Sequence, residues 1–505
     1  MNIKSMLHRG LIALLLSGFL SPASAAEVAT CSGEELVRET FSNGAVWRFC
    51  WESRIRENLV LTDVSYTPPG GETLQVLSSA GLSQLHVAYD DNAVTYNDIT
   101  QYGLGGSYLL DLDEADCPQG ELLMVDSRPA VCRWRSEGND TYRTATRSVS
   151  TESLNLFSIS QVGAYAYMIN WTFHSDGAIE PGIGATGALQ RNSASTDTPF
   201  GRVLAGDPDT SWLSHTHNYY WRLDFDLGDS ANDDVFIESR WQQDEHGRRI
   251  EQSKRMTNEQ ALRIDPESLQ SWIIQDAIDN ARGYRIQPVH NGHRFERTDI
   301  EPYSAYDFYV TVARDCERYA SQNTRYNPEC GNHLLEFANN ESLDNADLTV
   351  WHRVAFHHVP RNEDQRNMHT HWDGFVMEPV NIWRGTPELI DQPNQAPEIL
   401  GPVSLSHALG DSVHEHIDAI DADDDQLRFQ ASELPPGISI DSRGHLSGQA
   451  TQTGTYDVNL SVLDDQSNTT ASLSWEIKPR AIKRRSGNLD WLSLMIVALF
   501  LYRRR

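Results

Sequence analysis

Positive charge is what this chain lacks. Lys and Arg number 41 against 71 Asp and Glu, a formal net charge of −30. With no basic patch to neutralise phosphates, nucleic acid is excluded as an expected partner. The acidic surface fits solubility, high salt or a cationic substrate without choosing among them. Long apolar runs are scarce as well: the C-terminal one, from Trp491 to Tyr502, falls short of the about 20 helical residues that cross hydrocarbon. No general-base motif stands beside the histidines, which argues against a zinc hydrolase. Cysteine is sparse, six in 505 residues. An even number suits disulfides in an oxidising compartment, and local spacing suggests Cys31 with Cys50, Cys117 with Cys132 and Cys316 with Cys330, other pairings remaining open.

What is present starts with a leader. Lys4 and Arg9, the apolar run Leu11 to Leu20 and the small residues Ala23-Ser24-Ala25 make residues 1–25 a secretory signal. The mature chain is therefore expected to be secreted or held at the cell surface. From Trp47 to about Asp391, aromatic and branched residues alternate with polar ones between Gly, Asp and Asn turns, the pattern of a large β-sandwich. One helix is expected inside it, with Asp265 as N-cap, Pro266 and Glu267 in the first turn and Gly283 past its end.

The segment Gln392-Pro393-Asn394-Gln395-Ala396-Pro397 reads as a linker, and short strands at regular spacing follow it. With Asp421 to Asp425 and Leu434-Pro435-Pro436-Gly437-Ile438, residues 396–480 resemble bacterial cadherin-like and immunoglobulin-like modules, a small β-sandwich. The acidic run there suits calcium or a solvated turn. The tail, residues 486–505, has Ser486-Gly487-Asn488, the apolar run and Arg503-Arg504-Arg505. It resembles a bacterial Gly-Gly-type sorting signal, with Ser-Gly where two glycines are usual. That resemblance implies engagement by a membrane protease, the other reading being a short membrane anchor.

The chain is organised around residues 214–226, Ser-His-Thr-His-Asn-Tyr-Tyr-Trp-Arg-Leu-Asp-Phe-Asp. In a strand, residues i and i+2 share a face, so His215 and His217 point one way and offer two imidazoles to a copper or zinc ion. Upstream, Tyr165, Tyr167, Ile169, Trp171 and Phe173 share a strand face, Ser175-Asp176-Gly177 turns the chain, and Ile179 to Leu189 returns antiparallel. This hairpin, with Asp176-Gly177-Ala178-Ile179-Glu180 and Gly184-Ala185-Thr186-Gly187, is similar to the copper amine oxidase hairpin whose tyrosine becomes topaquinone. The resemblance continues in order through Tyr102-Gly103-Leu104-Gly105, Gly283-Tyr284-Arg285-Ile286, Glu317-Arg318-Tyr319, Val350-Trp351 and His357-His358-Val359-Pro360-Arg361-Asn362-Glu363-Asp364.

That resemblance implies a catalytic domain over residues 27–395 that oxidises primary amines with oxygen to aldehyde, ammonia and hydrogen peroxide. It implies Tyr165 as topaquinone precursor, Asp98 as base, and His215, His217 and His358 as copper ligands. It also implies Tyr89 as a hydrogen-bond partner of the quinone, Cys117 with Cys132 as a disulfide, and a homodimer. Asp224, Phe225, Asp226, Asp347 and Leu348 match a structural calcium site, where alternate carboxylates and carbonyls give hard oxygen ligands. Burial is expected to raise the Asp98 pKa toward neutrality, suiting a base. His369 and His371 form a second His-x-His, ranked below His358 as ligands and expected to take up metal adventitiously or to line the way in.

There are departures. Ala164 and Ala166 flank Tyr165 where the family has Asn and Asp or Glu, Gln161 replaces a threonine, and Thr100-Gln101 replaces Gly-Glu. The smaller N-terminal domains usual in the family have no counterpart between the leader and the block. An alternative therefore stands beside the oxidase: a catalytically degenerate copper-binding surface or adhesion protein whose Tyr165 stays a tyrosine.

Overall fold

The computed structural model describes residues 31–480 except 32–34, 92–94, 144–147, 193–200, 229, 278–280, 289–299, 366, 384–393, 423–425 and 465–466. The leader at 1–25, the tail at 486–505, Gln392-Pro393 of the linker and Asp423 to Asp425 of the acidic run thus lie outside the described residues. Two compact units emerge, one holding residues up to Tyr142 and Val149–Arg384, the other Arg143–Ser148 and the chain from Gly385 onward.

The larger unit is built on two large antiparallel sheets, beside a small one formed by Arg191–Asn192, Asp207–Leu213 and Gly201–Leu204. Six strands position the site: β1 (Leu74–Tyr89), β2 (Tyr165–His174), β3 (Ile179–Gly187), β4 (His215–Phe225), β5 (Leu348–His358) and β6 (His371–Gly374). Among the described residues, the first sheet runs Leu36–Thr40, Val46–Arg54, Asn58–Thr67, β1, β4, β5, Phe308–Val312 and Gln260–Leu262. In the second, β3 lies between β2 and Met377–Val380 and also pairs with β6. Aromatic and branched side chains at alternate positions close the space between the sheets. Trp171 on β2 meets Trp221 on β4 edge-on at 5.3 Å, and both are fully buried. Side chains of this size contribute about 1.5–3 kcal/mol each on burial. The opposite face of β4 is covered too, because Tyr220 packs in a second buried cluster with Tyr303, Tyr309 and Trp351.

The expected hairpin forms. β2 and β3 pair antiparallel from Phe173 with Ile179 to Tyr165 with Gly187. Gly177, at φ +95, makes the turn, a conformation that disfavours a side chain. All three disulfides suggested by spacing are present: Cys31–Cys50, Cys117–Cys132 and Cys316–Cys330.

The helix expected from Asp265 to Gly283 is a correction. Its start is real, since the Asp265 carboxylate accepts from the Glu267 backbone N–H at 3.2 Å. It lasts only one 3₁₀ turn, Pro266–Ser268, which ends at Leu269 in the left-handed region. Ser271–Asp276 then forms a strand, followed by Gly283–Ile286. Trp272, Ile273 and Ile274 are β-favouring and buried, and packing between the sheets outweighs a capping signal of about 1 kcal/mol.

The second unit is a small β-sandwich around Val413, Leu446, Val458, Leu460, Leu473 and Trp475. Ser404–Ala408 runs parallel to Asn468–Lys478, and the other strand pairs are antiparallel. Leu434 to Ile438 makes a turn, with the Ile438 N–H donating to the Pro435 carbonyl at 3.0 Å.

Candidate active site

Strand register assembles the centre. His215 on β4 lies opposite Tyr89 of β1 on one side and opposite His358 of β5 on the other. Residues directly opposite in a sheet share a face, so Tyr89, His215 and His358 stand in a row, with His217 one repeat along. The His215 ring centre is 4.8 Å from His217 and 5.2 Å from His358. The second sheet faces this row with Tyr165, whose ring centre is 5.9 Å from His215 and 5.6 Å from His217. Its hydroxyl is 3.5 Å from His215 Nε2 and 3.4 Å from the Tyr89 hydroxyl. The sequence-predicted Tyr89, Tyr165, His215, His217 and His358 thus come together.

The imidazoles are oriented from behind. His217 Nδ1 bonds the Tyr219 hydroxyl at 2.9 Å, and His358 Nε2 bonds Asp364 Oδ2 at 3.1 Å. Their other nitrogens, His217 Nε2 and His358 Nδ1, are buried without a hydrogen-bond partner, as is His215 Nδ1. Leu213 backbone lies near enough to His215 to offset a little of its loss of basicity, without a bond of good geometry. Burial, with His358 alongside, pulls His215 down to about 3; burial also holds His217 and His358 below the ordinary value. The rings are therefore neutral, the form that binds metal. Among the described residues, no three His, Cys, Asp or Glu side chains are already closed to ligand distance around one point. The donor set nevertheless fits copper: neutral imidazoles, each with a buried nitrogen lacking a partner or turned to Tyr165, and carboxylate or phenol support behind two of them.

Asp98 opens a four-residue helical turn, Asp98–Gln101, after the strand Thr95–Asn97 that pairs with β1. It is buried, and the Tyr167 hydroxyl donates to its Oδ2 at 2.7 Å. Burial raises its pKa to about 6 against the opposing pull of that bond. Asp98, Tyr89, Tyr165 and Tyr167 line one cavity of about 470 Å³, walled also by Tyr96, Tyr102 and Tyr108. Burial raises Tyr165 to about 12 and lifts Tyr89 further, so both are neutral phenols at ordinary pH.

Asp224, Asp226 and Asp347 also gather, and Phe225 lies opposite Leu348 in the ladder. Asp224, however, is engaged by Arg222 at 3.0 Å, with Thr349 and Ser79 donating to it at 3.1 and 3.3 Å. Burial, then repulsion from the other two, raises Asp347 to about 7.

The second His-x-His is split. His369 is exposed, whereas His371 on β6 turns inward, its ring 5.3 Å from His217 and stacked on Phe356 at 3.9 Å. Its place beside the centre was hard to read because β6 is only four residues long and gives little alternation. Tyr219 and Asp364 were also not singled out. Tyr219 has a signal in hindsight, since it continues the two-residue period of His215 and His217.

Comparison with known proteins agrees with this geometry. The model of the copper amine oxidase enzyme domain matches residues 129–397, and that of an Ig domain matches residues 396–478. Primary amine oxidase 2 of Arabidopsis thaliana is 24% identical over 396 residues, 69% of this chain and 58% of its own. The primary amine oxidase of Klebsiella aerogenes is 26% identical over 396 residues, 68% of this chain and 52% of its own. The chain thus spans little more than half the length of these relatives. The crystal structure of a copper-containing benzylamine oxidase from Hansenula polymorpha shares the fold at a TM-score of 0.59 and 18% identity, covering 74% of this chain and 65% of that one. With a row of buried imidazoles facing a phenol, and a family domain matched over residues 129–397, the chain belongs to the copper amine oxidase family.

Proposed function

We propose that the chain oxidises primary amines, using oxygen and releasing aldehyde, ammonia and hydrogen peroxide. One observation carries the reading: Tyr165 stands between buried imidazoles on one side and, through the shared cavity, Asp98 on the other. His215, His217 and His358 would hold copper, which with oxygen supplies the redox chemistry that turns a nearby phenol into topaquinone, a cofactor with an electrophilic carbonyl for amines.

The remaining work falls to the chain. Tyr96, Tyr102 and Tyr108 give the amine an aromatic wall that excludes water and favours a cationic head. Tyr89 orients the ring at position 165 through the contact between their oxygens. Asp98, poised near pH 6, takes the proton from the substrate's α-carbon while Tyr167 fixes one of its oxygens. Three disulfides suit work outside the cytoplasm, secreted or at the cell surface, and the family resemblance suggests a homodimer. A structural calcium at Asp224, Phe225, Asp226, Asp347 and Leu348 would offset the burial, and relieve the mutual repulsion, that raise Asp226 and Asp347.

The test is copper loading of the full chain in air, followed by peptide mass and phenylhydrazine labelling at Tyr165, with peroxide release across mono-, di- and aryl amines. Modified Tyr165 with amine-dependent peroxide is the expected result. Copper bound beside an unmodified Tyr165 would instead support the degenerate surface-protein reading.

A further inference from the structure

His371 is not used by the reading above. It is the middle of a three-residue stack of constraints. Asp373, two residues along the same face of β6, accepts from Nδ1 at 2.7 Å. Phe356, which lies opposite His217 in the β4–β5 ladder, holds the ring flat at 3.9 Å. The side chain is 10% exposed and its remaining nitrogen, Nε2, is buried with no hydrogen-bond partner. With Nδ1 engaged by the carboxylate, Nε2 is the nitrogen left to take a further partner. Leaving such a nitrogen buried and unanswered forfeits its hydration with nothing in return.

Two surroundings decide what answers it. Phe356 occupies one face of the ring and has no hydrogen to give in a conventional bond, and His217 stands 5.3 Å away with its own Nε2 equally unanswered. His371 lies near enough to His215, His217 and His358 to influence all three electrostatically, so it belongs to the same cluster, approached from the opposite sheet. Several buried imidazole nitrogens gathered from two sheets, each without a hydrogen-bond partner, call for a shared ligand such as a cation. A carboxylate behind a histidine whose far nitrogen points inward is the arrangement that supports a metal-bound imidazole.

We propose that His371 supplies a fourth imidazole, through Nε2, to the metal centre formed by His215, His217 and His358. The inference rests on the metal-centre part of the reading above. Cu(II) accepts four nitrogens in a tetragonal set, so the ion would be gripped from both sheets rather than from one.

Pulsed electron paramagnetic resonance of the copper-loaded full chain counts coordinated imidazoles directly, and four are expected. His371→Gln should show three and bind copper about 10- to 100-fold more weakly in chelator competition, the range seen when support of a metal site is lost. His369→Gln, at the exposed neighbour, should match the unaltered chain. Three imidazoles in the unaltered chain, or an H371Q affinity equal to it or to an equally weakened H369Q, overturns the proposal. The count on the unaltered chain decides even where H371Q does not fold. Failure of copper to bind at all, or binding unaffected by His358→Gln, would instead sink the metal-centre reading beneath it.

Discussion

Replacing Asp98 by Asn separates what this residue does for chemistry from what it costs the fold. The carboxyl is buried, and its pKa stands at about 6 against an ordinary 3.8, chiefly because burial disfavours the charge. That gap corresponds to about 3 kcal/mol at 1.36 kcal/mol per pH unit. The sign follows from proton counting: between pH 3.8 and about 6 the folded chain holds a proton the unfolded chain has released, so stability falls as pH rises across that window. Asn carries no charge, and its carbonyl oxygen still accepts from the Tyr167 hydroxyl, which now donates to Oδ2 at 2.7 Å. D98N should therefore unfold no more easily than the unaltered chain near pH 4 and be more stable by up to about 3 kcal/mol at pH 8. Calorimetry of the metal-free larger unit reads this as a gap in Tm that opens with pH. Amine oxidation should move the opposite way: kcat/KM drops about 10²- to 10⁴-fold, and the acid limb near pH 6 disappears. A D98N chain that is less stable at pH 8 refutes the burial cost, and one that keeps its activity refutes the assignment as base.

Other outcomes follow from the same geometry. Tyr165→Phe should keep copper yet yield no phenylhydrazine adduct and no peroxide, since only the hydroxyl facing His215 and Tyr89 is removed. Copper uptake at pH 6 should release far fewer than three protons, because His215, at about 3, and His217 and His358, held down by burial, are already neutral; calorimetry in two buffers of different ionisation enthalpy measures this, and three protons per ion would refute it. Trp171→Ala should cost about 3–5 kcal/mol in denaturant unfolding by emptying the contact with Trp221 between the sheets.

How far the residues alone led depended on the length of each repeat. β4 and β2 are 11 and 10 residues long, and their strict alternation announced both the strand and the face of His215, His217 and Tyr165. His358 and Asp98 came from ordered resemblance, since nothing local ties either one to strands so distant in sequence. Two places resisted reading for one reason. Residues 265–283 carry a good N-cap followed by apolar residues that suit either period, and His371 sits on a strand too short to show one. In both places contacts made far away in sequence decide the outcome.

The row Tyr89, His215, His358 ties metal uptake to strand alignment. Displacing β4 by a single position would turn both its histidines through the sheet, toward the side where Tyr220 meets Tyr303. A misaligned molecule would then carry every ligand in its sequence and still be blind to copper. Binding of the ion, if these histidines hold it as proposed, would thereby act as a proofreader of folding, holding only those molecules whose central strands have found their proper neighbours.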